Sequence, residues 1–409
     1  MSYTYSNYNS DALKLRALIL NARKPFVLRN FKMNWKCFHV TLEEWCARYD
    51  KEVNASQEFE VMSCSQGNQT PHWERDRKSL RMTLTEFLEK QKSASSNNYW
   101  IGLNYQRINE MPTALGEGID FSRLGFSEAT EECNYWLCST QTNTPCHYDT
   151  YGCNIVVQVY GRKLWLLFPP TTPLSSTRIP YEESSVYCEE NLFAPNPQEL
   201  QQLKKLQSSA YRCILEANDV LIVPKHWWHY VEAIDLSLSI NYWIPLENDV
   251  EEQLKECIVK ILIERFVKNG NEEEQKFILN PNQVIAEMQD DAEIFKILHY
   301  LYEKTKSDCS SEKSRRLNVT PCAYQYLDEQ ECQQLVEELP NGIVEYLSPM
   351  SNKDYEVLLN QHAKRFKPSN GSATEPQPFS IIKKAIINSV CTPAVIDHIK
   401  MEFFKRYQI

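Results

Sequence analysis

His147 and Asp149 stand two residues apart in the stretch TPCHYDTYGCNIVVQVYGRKLWLLFPP, which runs from Thr144 to Pro170. On an extended chain, residues i and i+2 face the same side. An imidazole and a carboxylate are therefore aimed at one point. A further imidazole arrives far downstream in VPKHWWHYVE, at His229. Two histidines and one carboxylate are the ligand set of a non-haem Fe(II) oxygenase, with the opposite metal positions left open. Lys163, Asn154 and Asn241 supply polar groups for an acidic co-substrate.

The ordinary alternatives are a surface histidine followed by a turn aspartate and, for Lys163, an edge lysine that snorkels to water. Three features favour a site. The His-x-Asp pair opens a pair of apolar strands, a histidine flanked by aromatics follows later, and polar residues interrupt otherwise apolar strands. His226 competes with His229. It follows Pro224 and reads as part of a turn, whereas His229 begins the strand HYVEAI and is favoured. In LSLSINYW, Ser237, Ser239 and Asn241 share one face, while Leu238, Ile240 and Tyr242 share the other. A polar face on such a strand implies a wet or liganded cavity, the alternative being a sheet surface open to solvent. Thr144, three residues before His147, is placed to add a hydroxyl near Lys163.

These residues need a scaffold of short strands. YWIGL, NYWLCS, NIVVQVY, KLWLLF, DVLIV, HYVEAI and LSLSINYW fill the chain from Tyr99 to about Pro245. Short strands separated by turns point to an antiparallel sandwich or barrel. Tyr160-Gly161-Arg162-Lys163 reads as a hairpin turn. The segment from Pro169 to Tyr211 is too long for a simple loop and reads as a lid containing the helix QELQQLKKLQ. Before this core, KPFVLRNF and EFEVMSC are strands. Thr41 caps a helix whose Glu44 completes a capping box. After it, Asn248 or Asp249 caps a helix ending near Gly270, and a second amphipathic segment spans about Asn282 to Tyr302. KSDCSSEKSRR reads as a linker, and the last 90 or so residues as three or four helices without a chemical motif. The expected division is a flank over 1–98, a core over 99–247, helices packed on it over 248–305, and a helical region of unknown role over 306–409.

The chain has 409 residues, a net charge of −10 and 14 cysteines without a CxxC pair. No stretch supplies the basic face that phosphate neutralisation needs, so nucleic acid is not an expected partner. The first residues lack the basic start and apolar core of a secretory signal, and no apolar run reaches membrane-spanning length. The thiols read as reduced, in a cytoplasmic or also nuclear protein.

The motifs TPCHYDTYGCN, VQVYGRKLWLLFPP, TRIPYEESSVY and VPKHWWHYVEAID, followed by SINYWI, resemble the JmjC family of Fe(II)- and 2-oxoglutarate-dependent oxygenases. The resemblance covers about residues 24–250. It implies a mainly β, double-stranded β-helix (cupin-like jelly roll) with N-terminal α/β flanking elements and a C-terminal helical region. It implies His147, Asp149 and His229 as iron ligands. For the co-substrate it implies Lys163 on the distal carboxylate, Thr144 beside it, Asn154 and Asn241 near the metal-bound end, and Tyr105 as a further contact. The cofactors implied are Fe(II), 2-oxoglutarate and O2, consumed to succinate and CO2 as a substrate C–H is hydroxylated or an N-methyl group removed. The expected substrate is a protein, with hydroxylation favoured over lysine demethylation because no chromatin-reading module or basic tail accompanies the motifs. A small heat-shock protein is the implied partner, and an adaptor for that partner with little or no catalysis is the alternative. A zinc hydrolase is a weaker one, and a homodimer through the C-terminal helices is compatible.

Overall fold

The computed structural model describes residues 10–63, 78–92, 99–127, 133–178, 185–271, 291–315, 327–367 and 378–407. Two antiparallel sheets face each other. The nine-stranded sheet runs, edge to edge, through Val344–Tyr346 (β15), Phe26–Leu28 (β1), Val220–Val223 (β12), Cys153–Tyr160 (β7), Ser237–Ile244 (β14), Asn134–Cys138 (β5), Tyr99–Arg107 (β4), Gln57–Ser63 (β2) and Lys78–Met82 (β3). The six-stranded sheet runs through Tyr211–Leu215 (β11), Lys163–Phe168 (β8), Trp228–Ala233 (β13), Asn143–Asp149 (β6), Ser185–Cys188 (β10) and Ser176–Arg178 (β9). Strands β5 to β8 and again β11 to β14 alternate between the sheets, as in a jelly roll. This is the expected mainly β fold, with helices before and after it.

One consequence corrects the sequence reading. Gly161, at φ +66°, does turn the chain between β7 and β8. The two strands lie in different sheets, however, and do not form a hairpin. A Cβ at Gly161 would sit 2.1 Å from the Leu236 carbonyl oxygen, so this crossing requires glycine.

The larger core lies on the outer face of the nine-stranded sheet. There Leu238, Ile240 and Tyr242 of β14 and Ile155 and Val157 of β7 pack against the N-terminal helices. The helix Leu42–Val53 begins with the expected capping box, Thr41 and Glu44 each accepting from the other's backbone N–H. The helix Pro197–Lys204 confirms local structure in the segment between β8 and β11.

The C-terminal part has the expected helix after Asn248 and, among the described residues, four helices beyond residue 327, but it departs from expectation in how they pack. Asp249 opens the helix Asp249–Val267, with its carboxylate accepting from Gly152 and Leu246 N–H. Residues 306–315, expected as a linker, continue the helix Asp291–Arg315. Residues 306–409 are not one helical region. Val344–Tyr346 pairs with β1 as the edge strand of the nine-stranded sheet. Helix Asn352–Ala363 buries Tyr355 and Leu359 on the outer face of the six-stranded sheet. Helices Pro378–Val390 and Pro393–Arg406 instead pack with Asp249–Val267 and Asp291–Arg315 around Leu254, Ile258 and Ile387. A short β-strand and a salt-bridged helix carry no periodicity that would place them in a distant core. The GNQTPHWERDRK and SASSNN loops fall almost wholly outside the described residues.

Candidate metal centre

His147 and His229 face each other across the β6–β13 ladder, directly paired in register. Their ring centroids are 4.2 Å apart. Asp149 follows on the same face of β6. His147 Nε2 lies 3.8 Å from one Asp149 carboxylate oxygen, and His229 Nε2 lies 3.9 Å from the other. One ligand atom from each residue falls within 4.8 Å of the other two, and all three residues are buried.

The second nitrogen of each ring fixes its tautomer. His147 Nδ1 lies 2.8 Å from the Pro145 carbonyl oxygen, and His229 Nδ1 lies 2.9 Å from that of Trp227. A carbonyl only accepts, so each Nδ1 carries the proton and each Nε2 turns a lone pair inward. Burial, reinforced by His229, pushes the His147 pKa down to about 4. The ring is therefore neutral at neutral pH. Two imidazole Nε2 atoms turned inward and a carboxylate around one point fit a divalent transition metal.

A bulge explains how β6 serves the site. His147 pairs with His229 and Thr144 with Val231, so Pro145 and Cys146 together oppose the single residue Tyr230. The extra residue shifts the side-chain alternation. Thr144 and His147, three apart in sequence, consequently line the same cavity. His226 takes no part. It sits at φ +66° in a turn, its ring 4.0 Å from Glu252, and its backbone N–H donates to the Asp149 carbonyl.

The carboxylate is held by neutral donors. Trp243 Nε1 donates to Asp149 Oδ2 at 2.9 Å, and Asn154 Nδ2 reaches the same oxygen at 3.3 Å. Asn241 donates to Asn154 Oδ1 at 3.1 Å, and Trp136 donates to Asn241 Oδ1 at 2.8 Å. Asn154 and Asn241 thus form a relay that orients the carboxylate besides lining the cavity. Trp165 lies nearly parallel to the His229 ring, 5.6 Å away.

The cavity and its mouth, open to solvent, together hold about 440 Å³ of empty space. Lys163, only 5% exposed, reaches into it from β8. Its ammonium donates to Ser239 Oγ at 2.7 Å, and among the described residues no carboxylate lies within ion-pair distance. Thr144 lines the same cavity, but the Lys163 ammonium bonds to Ser239, with the Cys138 thiol also beside it. Tyr105 stands at the rim, 48% exposed, its ring 4.1 Å from Trp136. It is turned there by φ +53° at the irregularity between Leu103 and Gln106. All eight residues singled out in the sequence therefore meet at one place. Sequence reading passed over the indole N–H groups of Trp136 and Trp243 as donors. For Trp243 the available signal was its i, i+2 alternation with Ser239 and Asn241 on one strand; Trp136, on another strand, offered none.

The model for the cupin-like domain matches residues 12–249, more than half of the chain. The chain belongs to the cupin-like domain family. This cupin-like chain is similar to HSPB1-associated protein 1 of Homo sapiens, 35% identical over 289 residues that cover 66% of the chain and 58% of that protein. It is 32% identical over 270 residues to the HSPB1-associated protein 1 homolog of Danio rerio, covering 61% and 58% respectively. Lysine-specific demethylase 8 of Xenopus tropicalis is 27% identical over 227 residues, 54% of this chain and 48% of that one. The cupin-like chain thus spans 58% of the length of the HSPB1-associated relatives it matches.

Proposed function

We propose that this protein is an Fe(II)- and 2-oxoglutarate-dependent oxygenase that hydroxylates a protein side chain. The observation that carries this reading is a pair of uncompensated buried charges in one cavity. Asp149 is an anion among an indole, an amide and two imidazoles, of which burial keeps His147 neutral, and Lys163 is a cation whose partners among the described residues are the Ser239 hydroxyl and the Cys138 thiol. A buried charge without a counter-charge is costly. A divalent cation at the first and a dicarboxylate at the second relieve both costs together.

His147, Asp149 and His229 would hold the metal. Lys163 and Thr144 would take the far carboxylate of the co-substrate, Asn154 and Asn241 would border its near end, and Tyr105 would close the rim. Iron and 2-oxoglutarate, when bound, supply dioxygen activation and two reducing electrons, with succinate and CO2 as products. The protein's own part is to hold both in register, keep the imidazoles in one tautomer, and exclude water with Trp165, Val156 and Val231. The substrate side chain enters past the aromatic rim of Tyr105 and Trp136.

We propose a small heat-shock protein as partner or substrate, supported by relatives named for association with HSPB1. A second reading, lysine demethylation, is supported by the name of the Xenopus relative. The described cysteines are free thiols, which supports a reducing, cytoplasmic setting. The test is 2-oxoglutarate turnover by the purified protein with Fe(II), followed by mass spectrometry of a small heat-shock protein incubated with it. Succinate formation with a 16-dalton gain on the partner is the expected result. A metal-loaded protein that neither binds nor consumes 2-oxoglutarate would overturn the enzyme reading and leave an adaptor.

A further inference from the structure

Strand β13 has two faces with different duties. His229 and Val231 face the cavity, while Trp228, Tyr230 and Glu232 face outward under the C-terminal segment. Glu232 is 6% exposed and lies among three groups. Arg365 grips it with two hydrogen bonds, at 2.9 and 2.7 Å. The Tyr230 hydroxyl donates to it at 2.7 Å, and His362 Nε2 lies 3.7 Å away. Two of these contacts are anchored in turn, and Tyr355 ties down the helix that carries His362. His362 Nδ1 donates to the Leu192 carbonyl at 2.7 Å, and the Arg365 guanidinium lies 4.5 Å from the centre of the Phe193 ring. Tyr355 donates to the Leu203 carbonyl at 3.1 Å.

The location matters more than the strength. Tyr230 is the residue opposite the β6 bulge, between the pairs His147–His229 and Thr144–Val231. At a bulge the ladder is locally disrupted and loses hold on side-chain direction. Here the strand facing the bulge is fixed from outside instead, through Tyr230 to Glu232 and on to Arg365 and His362. Both fixing residues lie beyond the cupin-like match, which ends at residue 249.

We infer that Glu232, Arg365 and His362 form, through Tyr230, a positioning cluster for the metal ligands His229 and His147, so that a segment outside the family domain completes the metal centre. The inference rests on the metal-site reading above. Partners that orient metal ligands from outside the coordination sphere typically contribute roughly 10–100-fold in metal affinity.

The experiment uses the full chain, titrated with Co(II) and followed by its visible absorption. In Arg365→Met, Co(II) binds about tenfold or more weakly with an altered absorption band, while far-ultraviolet circular dichroism shows the fold retained. Arg365→Lys, which keeps one charged donor, recovers part of the affinity. Arg162→Met, which breaks the exposed Arg162–Asp235 pair, leaves affinity and band unchanged. Should Arg365→Met fail to fold, Tyr230→Phe removes a single hydroxyl and still gives weaker binding with a shifted band. Wild-type affinity and spectrum in the folded Arg365→Met protein, or in Tyr230→Phe where that variant carries the test, overturn the positioning role. No Co(II) binding by the unaltered protein overturns the metal-site reading, and this inference with it.

Discussion

Asp149 and Glu232 are both 6% exposed, and both lie on the six-stranded sheet, one facing inward and one outward. Their surroundings differ in kind. Glu232 has its own permanent cation, the Arg365 fork, and a tyrosine hydroxyl besides. Asp149 has an indole and an amide, and two imidazole nitrogens near it, of which burial keeps the His147 ring neutral. The first carboxylate is complete within the chain. The second has no permanent cation within ion-pair distance among the described residues. Burial alone therefore does not mark the site. What marks it is a buried charge left without compensation, repeated with opposite sign at Lys163.

The comparison breaks most sharply on alanine substitution. Asp149→Ala leaves two neutral ligands, and loss of measurable Fe(II) or Mn(II) binding by calorimetry is expected. The metal-free Asp149→Ala protein should nevertheless be at least as stable as the parent, because an uncompensated buried charge has gone. Glu232→Ala does the reverse and strands Arg365. It should lower the unfolding free energy by roughly 3 kcal/mol in urea titrations, the low end for breaking a buried pair. Equal destabilisation by both substitutions would mean that Asp149 is an ordinary structural carboxylate.

Lys163 extends the same logic to the co-substrate. Lys163→Met removes an unpaired ammonium, so the metal-free fold and the metal site should persist. Binding of 2-oxoglutarate to the Mn(II) form should weaken by roughly 2–5 kcal/mol, the usual range for truncating one partner of a buried charge pair. Lys163→Arg should also bind weakly, because the planar fork is larger and needs space that Ser239 and Thr144 occupy. Unchanged affinity in Lys163→Met would detach the lysine from the co-substrate.

Legibility in the sequence followed the range of the interactions. His147, Asp149 and the polar face of β14 could be read because strand alternation is local. Thr41 and Glu44 could be read because a capping box spans three residues. His229 was preferred over His226 for a reason that holds, its place inside a strand rather than in the preceding turn. The contacts that were not legible are set by tertiary structure. Arg365 and Glu232 are 133 residues apart, and neither sits in a motif. Val344–Tyr346 is three residues long and becomes a strand only because β1 offers it an edge. The Tyr160–Lys163 turn looked like a hairpin because its local chemistry is that of one. Which sheet each flanking strand joins is decided by packing.

The smallest expected effect is a pH dependence that separates the two clusters. Burial holds the His362 pKa below its ordinary value of 6.5, against the pull of Glu232. Its folded pKa thus lies below its unfolded one, so the folded chain binds fewer protons and stability falls as pH drops below about 6.5. This contribution is whole above 6.5 and is lost as pH falls through the folded pKa. One proton contributes at most about 1.4 kcal/mol per pH unit. His147, likewise lowered by burial, adds a slope of the same sign in metal-free protein. The two are separated by substitution. In urea titrations at pH 7.5 and 5.5, His362→Asn should lose less stability on acidification than the parent, whether metal is present or not. Saturating Mn(II), which binds the neutral form of His147, should leave the size of the loss nearly unchanged in both proteins, because a ring with a pKa of about 4 is already neutral at pH 5.5. An acid sensitivity unchanged by His362→Asn would show that the outer cluster, unlike the inner one, carries no titrating load.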